Sequence, residues 1–209
     1  MDKCIDNEIF MAKCGEMVSA IQDDFNIFDR SIHIIEQIKK GNTQDWKKFL
    51  DRETKVYYRK EDGKSLYTFY LEKIVNAPIF NLMSVIAEAQ TYKDWIPLLY
   101  KSEITNEVSH FRKTGEFAVT VPWPFYNRCV YIQVSAMPVK TDDAIIINMK
   151  TIGGNKWLGK DIPKDPNCAE AIVHYCSAYI ETISENKQRL RFIANCDPRF
   201  DYVPQWLIN

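Results

Sequence analysis

The sequence lacks an excess of charge of either sign. Its 27 basic and 28 acidic side chains give a formal net charge of −1, and the two signs are interspersed along the chain. Such a chain has no overall field to attract nucleic acid, so we expect no nucleic acid partner. Hydrophobic runs are also short, far below the ~18 residues that indicate a membrane-spanning helix. Any membrane contact is therefore expected to be peripheral.

Catalytic and metal-binding motifs are missing as well. The six cysteines show no C-x-x-C or other metal-ligand spacing. The sequence contains no G-x-S-x-G, no H-E-x-x-H and no phosphate-binding loop. Its N-terminus, "MDKCIDNEIF", is too acidic and polar for a signal peptide. These absences predict reduced thiols, a cytoplasmic location, no metal and no cofactor.

The chain does contain enough apolar material for one core. Of its 209 residues, 46% are hydrophobic and 13% aromatic. A chain of this size buries about 70% of its unfolded surface, which predicts a single domain over residues 1–209.

Residues 1–50 predict helices, because apolar residues from Phe28 to Ile38 repeat at helical spacing and Gly41 follows a cationic last turn. "TQDWKKFL", opened by Thr43, predicts one further short helix.

Residues 51–209 predict a sheet. The segments "TKVYYRK" and "SLYTFYLEKIV" are typical of two strands joined by a turn at "EDGK". Asn76 and Pro78 mark the start of a helix before "IFNLMSVIAEA". The Gly- and Pro-rich segment 153–167 predicts a loop with an exposed Trp157. Together the pattern predicts an α+β fold with a curved antiparallel sheet. Further strands are predicted at 99–109, 114–121, 127–139, 143–152, 168–183 and 188–195.

Alternation along the strands predicts one apolar face in the sheet. Strand 127–139 carries alternating apolar residues on one side and a mixed set, including Cys129 and Gln133, on the other. Such a face requires an apolar filling, which is either a helix with the protein's own side chains or a ligand. The residues predicted to line it are Val130, Ile132, Val134, Ile145, Ile147 and Met149.

The segment "PWPFYN" predicts a stiff corner between two strands, since Pro122 and Pro124 cannot continue a hydrogen-bonded ladder. It presents Trp123, Phe125 and Tyr126, which either close a cavity mouth, dip into a membrane interface or plug the protein's own core.

Arg128 begins the next strand, where its side chain can reach loop carbonyls or carboxylates. We expect a structural role, with Glu116 as a candidate partner.

These features, in this order, resemble the START family of StAR-related lipid-transfer domains, of the helix-grip or Bet v 1-like superfamily. The resemblance rests on "DWKKFLDRETKVYYRK", "TYKDWIPLL", "PWPFYNRCVY" and "ANCDPRFDYVPQWLIN". It implies a helix-grip fold, in which a tunnel between the sheet and a long C-terminal helix holds one lipid, a phospholipid or a sterol. It also implies that the corner around Trp123 gates this tunnel. Arg128 is then expected to position the gate, with a lipid headgroup phosphate as its rival ligand.

Two positions depart from the family, and the C-terminus raises a further expectation. Cys129 stands where the family commonly has Asp, and Val134 where some members have a second Arg, so an apolar tunnel is favoured over a polar headgroup clamp. "DPRFDYVPQWLIN", with Asp201 and Pro204, has the form of a helix start. We therefore expect a chain truncated before its C-terminal helix, with the groove covered by a neighbouring chain, a swapped segment, a bound apolar molecule or the N-terminal helices.

The sequence leaves three functions open. The leading one is an intracellular lipid-binding and lipid-transfer domain that associates transiently with membranes. The second is an enzyme of the aromatase/cyclase type on the same fold, and the third is an interaction module with a filled cavity. The best catalytic pair, His174 and Cys176 on one strand face, is interpreted as packing. We therefore expect no enzyme activity and name no catalytic residue.

Overall fold

The computed structural model describes residues 7–61, 66–140 and 142–199, with side chains from residue 14 onward. In these residues one long helix lies on one face of a ten-stranded sheet, and a short helix packs against the other face. All strand pairs of this sheet are antiparallel except one short parallel pair. The predicted α+β class with a large antiparallel sheet is confirmed. The predicted helix start at 201–209 and most of the "EDGK" turn lie outside the described residues.

The helices differ from the predicted set in number and length. Helix α1 spans Asn7–Lys39, and helix α2 spans Ile79–Ala87. A 3-10 helix follows at Ala89–Asp94. Helix α1 is followed by Gly41, whose φ of 78° suits a residue without a side chain. The predicted cap at Asn76 is wrong, because the residue that precedes the first turn of α2 is Pro78.

Nine long or medium strands form the ordered path of the sheet, β1-β2-β3-β12-β11-β7-β6-β5-β4, and β10 joins β6 in parallel. Strands β8 and β9 form a separate hairpin. The strand bounds are β1 Lys47–Asp51, β2 Thr54–Lys60, β3 Tyr67–Val75, β4 Leu99–Ser109, β5 Arg112–Val119, β6 Arg128–Val139, β7 Ala144–Thr151, β8 Lys156–Trp157, β9 Lys160–Asp161, β10 Ala169–Glu170, β11 Ile172–Ser184 and β12 Lys187–Asp197.

The predicted strands are confirmed with small shifts at their ends, since alternation and turn residues are both strong there. The segment predicted as one strand at 168–183 forms two strands, β10 and β11. Strand β10 pairs with β6, whereas β11 pairs with β7 and β12. The predicted short helix over 43–50 is wrong. Residues Lys47–Asp51 form edge strand β1, which gains its backbone hydrogen bonds from β2. Helix propensity is a weak prior that such pairing overrides.

The two faces of the sheet are covered differently. The α1 face carries Tyr131 and Gln133 of β6, and helix α1 packs on it around Ile27, Ile34 and Ile35. This is the face that the sequence pattern described as mixed, and it is the more deeply buried one. The prediction that the N-terminal helices fold over the apolar groove is therefore wrong, since α1 lies on the opposite side. The α1-face core also includes Trp46, Tyr70, Ala144, Ile146, Tyr175, Tyr179 and Ile193.

Polar bonds attach α1 to the sheet within this core. The buried Ser31 donates to Ser177 at 2.7 Å, Ser177 donates to Asn148 at 2.9 Å, and Asn148 donates to the backbone carbonyl of Asp24 at 3.0 Å. The carboxylate of Asp24 pairs with Arg112 of β5. Because a buried polar group is costly without its partner, this chain of bonds specifies one position of α1 on the sheet.

A second buried polar cluster joins β3, β11 and β12. Arg191, only 2% exposed, donates to Glu72 at 3.0 Å and to Glu181 at 2.7 Å. Burial alone would raise the pKa of both carboxyl groups, but the hydrogen bonds and the charge of Arg191 outweigh it, and Tyr70 also donates to Glu72. The pKa of each glutamate is therefore lowered in the folded protein.

Replacement of Arg191 tests this cluster. We expect Arg191→Leu to lower the free energy of unfolding by up to about 3–5 kcal/mol, because it removes the buried cation shared by two partly buried carboxylates and leaves them with the more exposed Lys55 and Arg189. Arg189→Leu is the control, since Arg189 is more exposed and bonds only Glu181. Its expected cost is under about 1 kcal/mol. Urea unfolding of both variants measures the difference, and equal losses would contradict the prediction.

The lowered pKa values also predict acid sensitivity. The stabilising contribution of Glu72 and Glu181 is complete above their unfolded pKa of about 4.3 and is lost as pH falls through the lower folded values. Thermal unfolding between pH 7 and pH 3 should therefore show a falling Tm at the acid end. The double variant Glu72→Gln/Glu181→Gln should be less stable at pH 7 and lose less Tm on acidification. An unchanged pH profile in that variant would contradict the assignment.

Candidate functional site

The six residues predicted to line an apolar face do lie on one face of the sheet, here called the α2 face. Strand register places Val134 beside Met149, and both Ile145 and Ile147 lie on the same side of neighbouring β7. Ile132 and Ile147 are buried, whereas Val130, Val134, Ile145 and Met149 are half-buried. Helix α2 packs against part of this set through Ile79, Leu82, Met83 and Ile86.

Helix α2 is apolar on both of its sides. No residue of α2 is fully buried, and its outer side presents Phe80, which is 81% exposed, and Val85. The α2 face itself continues beyond the helix onto β3, where Phe69 is half-exposed. An apolar helix with an apolar outer side is typical of a surface that contacts further apolar material.

The corner that follows β5 exposes two of its three aromatic residues. Trp123 is 90% exposed and Tyr126 is 76% exposed, whereas Phe125 is half-buried. The corner is braced by Asn127, whose side-chain oxygen accepts from the backbone of Val121 at 3.2 Å. Leu98, another exposed apolar residue, accepts a backbone bond from Thr120 at 2.8 Å. The end of the sheet at this corner therefore presents exposed apolar side chains on a braced backbone.

Arg128 joins this corner to the segment that follows β12. Its guanidinium donates to the backbone carbonyls of Tyr126 and Pro198, the latter at 2.7 Å. The predicted partner Glu116 is wrong, because Glu116 faces the α1 side beside Tyr131 and pairs there with Lys101 at 2.8 Å. Strand alternation separates the two side chains, since Glu116 and Arg128 point to opposite faces.

The segment predicted as a loop at 153–167 is mostly exposed, but Trp157 and Ile162 within it are buried. It contains the hairpin β8–β9, and the prediction of an exposed Trp157 is wrong. Trp157 is buried, and its indole donates to Gln133 at 2.9 Å. The apolar residues Trp157 and Ile162 pack with Tyr131 of the α1 face. Their presence in a Gly- and Pro-rich segment is the signal that could have predicted this packing.

His174 and Cys176 do not share a face, so the predicted geometry of this pair is wrong. A bulge in β11 between Val173 and Tyr175 shifts the register at His174. His174 lines a polar cleft of about 310 Å³ beneath α1, with Asp23 and Lys150. Cys176 is buried on the α2 face, and burial raises the pKa of its thiol well above the usual value. A buried thiol with a raised pKa is a poor nucleophile.

Among the described residues, the five cysteines are free thiols, and no group of three or more histidine, cysteine or acidic residues could hold a metal ion. No helix in the described ranges is long and apolar enough to cross a membrane.

Several solved structures share this fold, among them proteins named as StAR-related lipid transfer proteins. Human STARD10 matches with a TM-score of 0.66 and 16% identity, covering 83% of this chain and 71% of that protein. The human StarD13 lipid transfer and protein localization domain matches with a TM-score of 0.63 and 14% identity, covering 83% and 86%. Human StAR-related lipid transfer protein 5 matches with a TM-score of 0.63 and 16% identity, covering 87% and 86%.

No protein-family model matches the sequence, and the curated proteins contain no significant match. At such low sequence identity, the structural matches establish the fold of this chain but do not identify a ligand. The predicted resemblance to START domains is therefore confirmed at the level of the fold: this chain has a START-like, helix-grip architecture.

Proposed function

We propose that this chain is a lipid-binding and lipid-transfer domain that holds one lipid, a phospholipid or a sterol, against the α2 face. The observation that carries the proposal is the continuous apolar surface of that face, from Val130 to Met149, beneath an α2 helix that covers only part of it. Lipid chains fill such a surface at little cost, because burial of apolar area is favourable and non-directional. In this proposal the lipid occupies an apolar tunnel between the sheet and its cover.

The lack of acidic and histidine side chains on the central, described part of the α2 face supports lipid binding over catalysis. Along the described central strands β6, β7 and β11, register places no aspartate, glutamate or histidine on this face. General acid–base chemistry requires such groups beside the substrate. The aromatase/cyclase-type enzyme is therefore the less favoured function, and an interaction module with a filled cavity is the main competitor.

The corner is proposed as a gate that touches the membrane. Tryptophan and tyrosine are favoured at membrane interfaces, since each joins an apolar ring to a polar group. Trp123 and Tyr126 expose their rings on a braced backbone, and the exposed Leu98 is hydrogen-bonded to Thr120 at the start of the corner. Arg128 holds the corner through backbone carbonyls, which supports a positioning role. We propose that the protein acts in the cytoplasm and contacts membranes only transiently.

Mass spectrometry of lipids extracted from the purified protein tests the proposed binding. We expect one lipid per chain in the wild type and a several-fold lower yield in Met149→Trp, because a larger ring occupies the proposed tunnel. Ile183→Trp is the control, since Ile183 is exposed at the end of β11. It should retain the lipid. Wild-type protein without lipid, also after incubation with phospholipid and sterol vesicles, would favour the filled-cavity module.

Transfer between donor and acceptor vesicles tests the gate. We expect Trp123→Ser/Phe125→Ser to slow transfer on the order of tenfold, since inserting one large aromatic ring contributes about 1.5–3 kcal/mol. The control Phe111→Ser removes an exposed aromatic residue at the opposite end of β5 and should transfer normally. Thermal unfolding accompanies each assay. If the double variant loses stability rather than transfer rate, the corner aromatics belong to the core and the gate is wrong.

A further inference from the structure

Helix α1 has a second apolar stripe that the sheet does not use. The stripe that faces the sheet includes Ala20, Ile27 and Ile34, all buried. On a neighbouring side of the helix, Val18 is 66% exposed and Phe25 is 49% exposed. Ile21, between them, is also exposed. Residues spaced three and four apart line one side of a helix, so these three form a continuous exposed surface.

The exposed stripe belongs to a heptad repeat. Eight successive positions at alternating spacings of three and four residues are apolar, and the repeat ends where Asn7 and Lys39 take the next positions. This spacing is the pattern by which two α-helices pack along a seam. The members are Met11, Val18, Phe25 and Ile32 at position a, and Cys14, Ile21, Phe28 and Ile35 at position d.

Of the members of this repeat whose side chains are described, only the last three pack into the core of the chain. Phe28, Ile32 and Ile35 pack into the α1-face core. The polar bonds between α1 and the sheet start at Asp23, which pairs with Lys150 at 2.5 Å. For residues 14–22 the structure gives no hydrogen bond or ion pair to the sheet. The members from Cys14 to Ile21 therefore have no hydrogen-bonded or ion-pair attachment beside them to hold them on the sheet, and no member from Cys14 to Phe25 belongs to the α1-face core of the described residues.

The flanks of the free seam suit a second copy of the same helix. Gly15 and Gln22 occupy the e positions, and Met17 occupies a g position, so none of them is charged. The other g residue, Asp24, is neutralised by Arg112. Residues at e and g face each other across a coiled coil, where like charges repel. The next e residue, Asp29, follows Phe28, which already packs into the α1-face core, and so lies beyond the free members Cys14 to Phe25. Along those free members two identical helices can meet without such repulsion.

We infer that Val18, Ile21 and Phe25 form the seam of a two-stranded coiled coil between two copies of this chain. The occupant of the stripe is another α1, because it carries the same heptad and uncharged flanks. Two heptads bury on the order of 1,000 Å² or less in total, which places the dimer at the weak, concentration-dependent end of protein interfaces. The inference concerns the face opposite the proposed lipid site and does not rest on that function.

Sedimentation velocity of the full chain, from about 5 to about 200 µM under reducing conditions, tests the inference. The reducing agent prevents disulfide dimers through Cys14. We expect the wild type to shift from monomer to dimer across this range. Val18→Glu/Phe25→Glu places charges in the seam and should weaken the dimer at least about tenfold. The matched control Ser19→Glu/Asn26→Glu adds the same charges on exposed positions beside the seam and should still dimerise.

Two results would overturn the inference. One is a wild type that stays monomeric at every concentration, and the other is a dimer that persists in Val18→Glu/Phe25→Glu. Circular dichroism and thermal unfolding show whether that variant keeps its fold. If it does not, the milder pair Val18→Ser/Phe25→Ser replaces it, and dimerisation equal to the wild type in that folded pair would count against the seam.

Discussion

The structure depends on how α1 is seated on the sheet. A sheet with two apolar faces needs a cover on each, and α1 supplies one of them by burying Ile27, Ile34 and Ile35. Apolar contacts alone would tolerate sliding of the helix, since they are non-directional. The bonds from Ser31 to Ser177 and from Asp24 to Arg112 remove that freedom, because any shift would leave buried polar groups without partners.

Because α1 covers one face of the sheet, the opposite α2 face is the candidate site. Helix α2 is short, lies on the middle of that face and leaves apolar residues exposed on its own outer side. One end of the sheet carries the exposed corner aromatics, and the other carries the β4–β5 turn with the exposed Phe111. The fold thus combines a well-covered face that stabilises it with a partly covered apolar face and an exposed aromatic corner beside it.

The seating of α1 also determines which of its residues remain free. Ala20 and Ile27 turn toward the sheet, and as a consequence Val18 and Phe25 point away from it. An apolar stripe exposed to water is unfavourable unless something covers it. The same contact that orders the core therefore creates the surface through which two copies are inferred to meet.

By itself the sequence determined the elements with strong local signals. Alternation bounded β4, β6, β7 and β12 to within a few residues, and it placed Val130, Ile132 and Val134 on one face, because side-chain direction in a strand is a local property. The two prolines around Trp123 likewise predicted the corner, since proline restricts the backbone wherever it lies. The order of these elements was sufficient for the START-like fold.

Only the tertiary structure decided the rest. Residues 47–51 became a strand because β2 offered an edge, and Trp157 became buried because Gln133 and the α1 face lay beside it. The bulge at His174, which separated it from Cys176, depends on pairing between β11 and β12. Glu116 met Lys101 across β4 and β5 rather than Arg128. The β1–β2 pair is a local hairpin, but the other outcomes rest on contacts between residues 15 or more positions apart, and the periodicity of one segment contains neither kind of pairing.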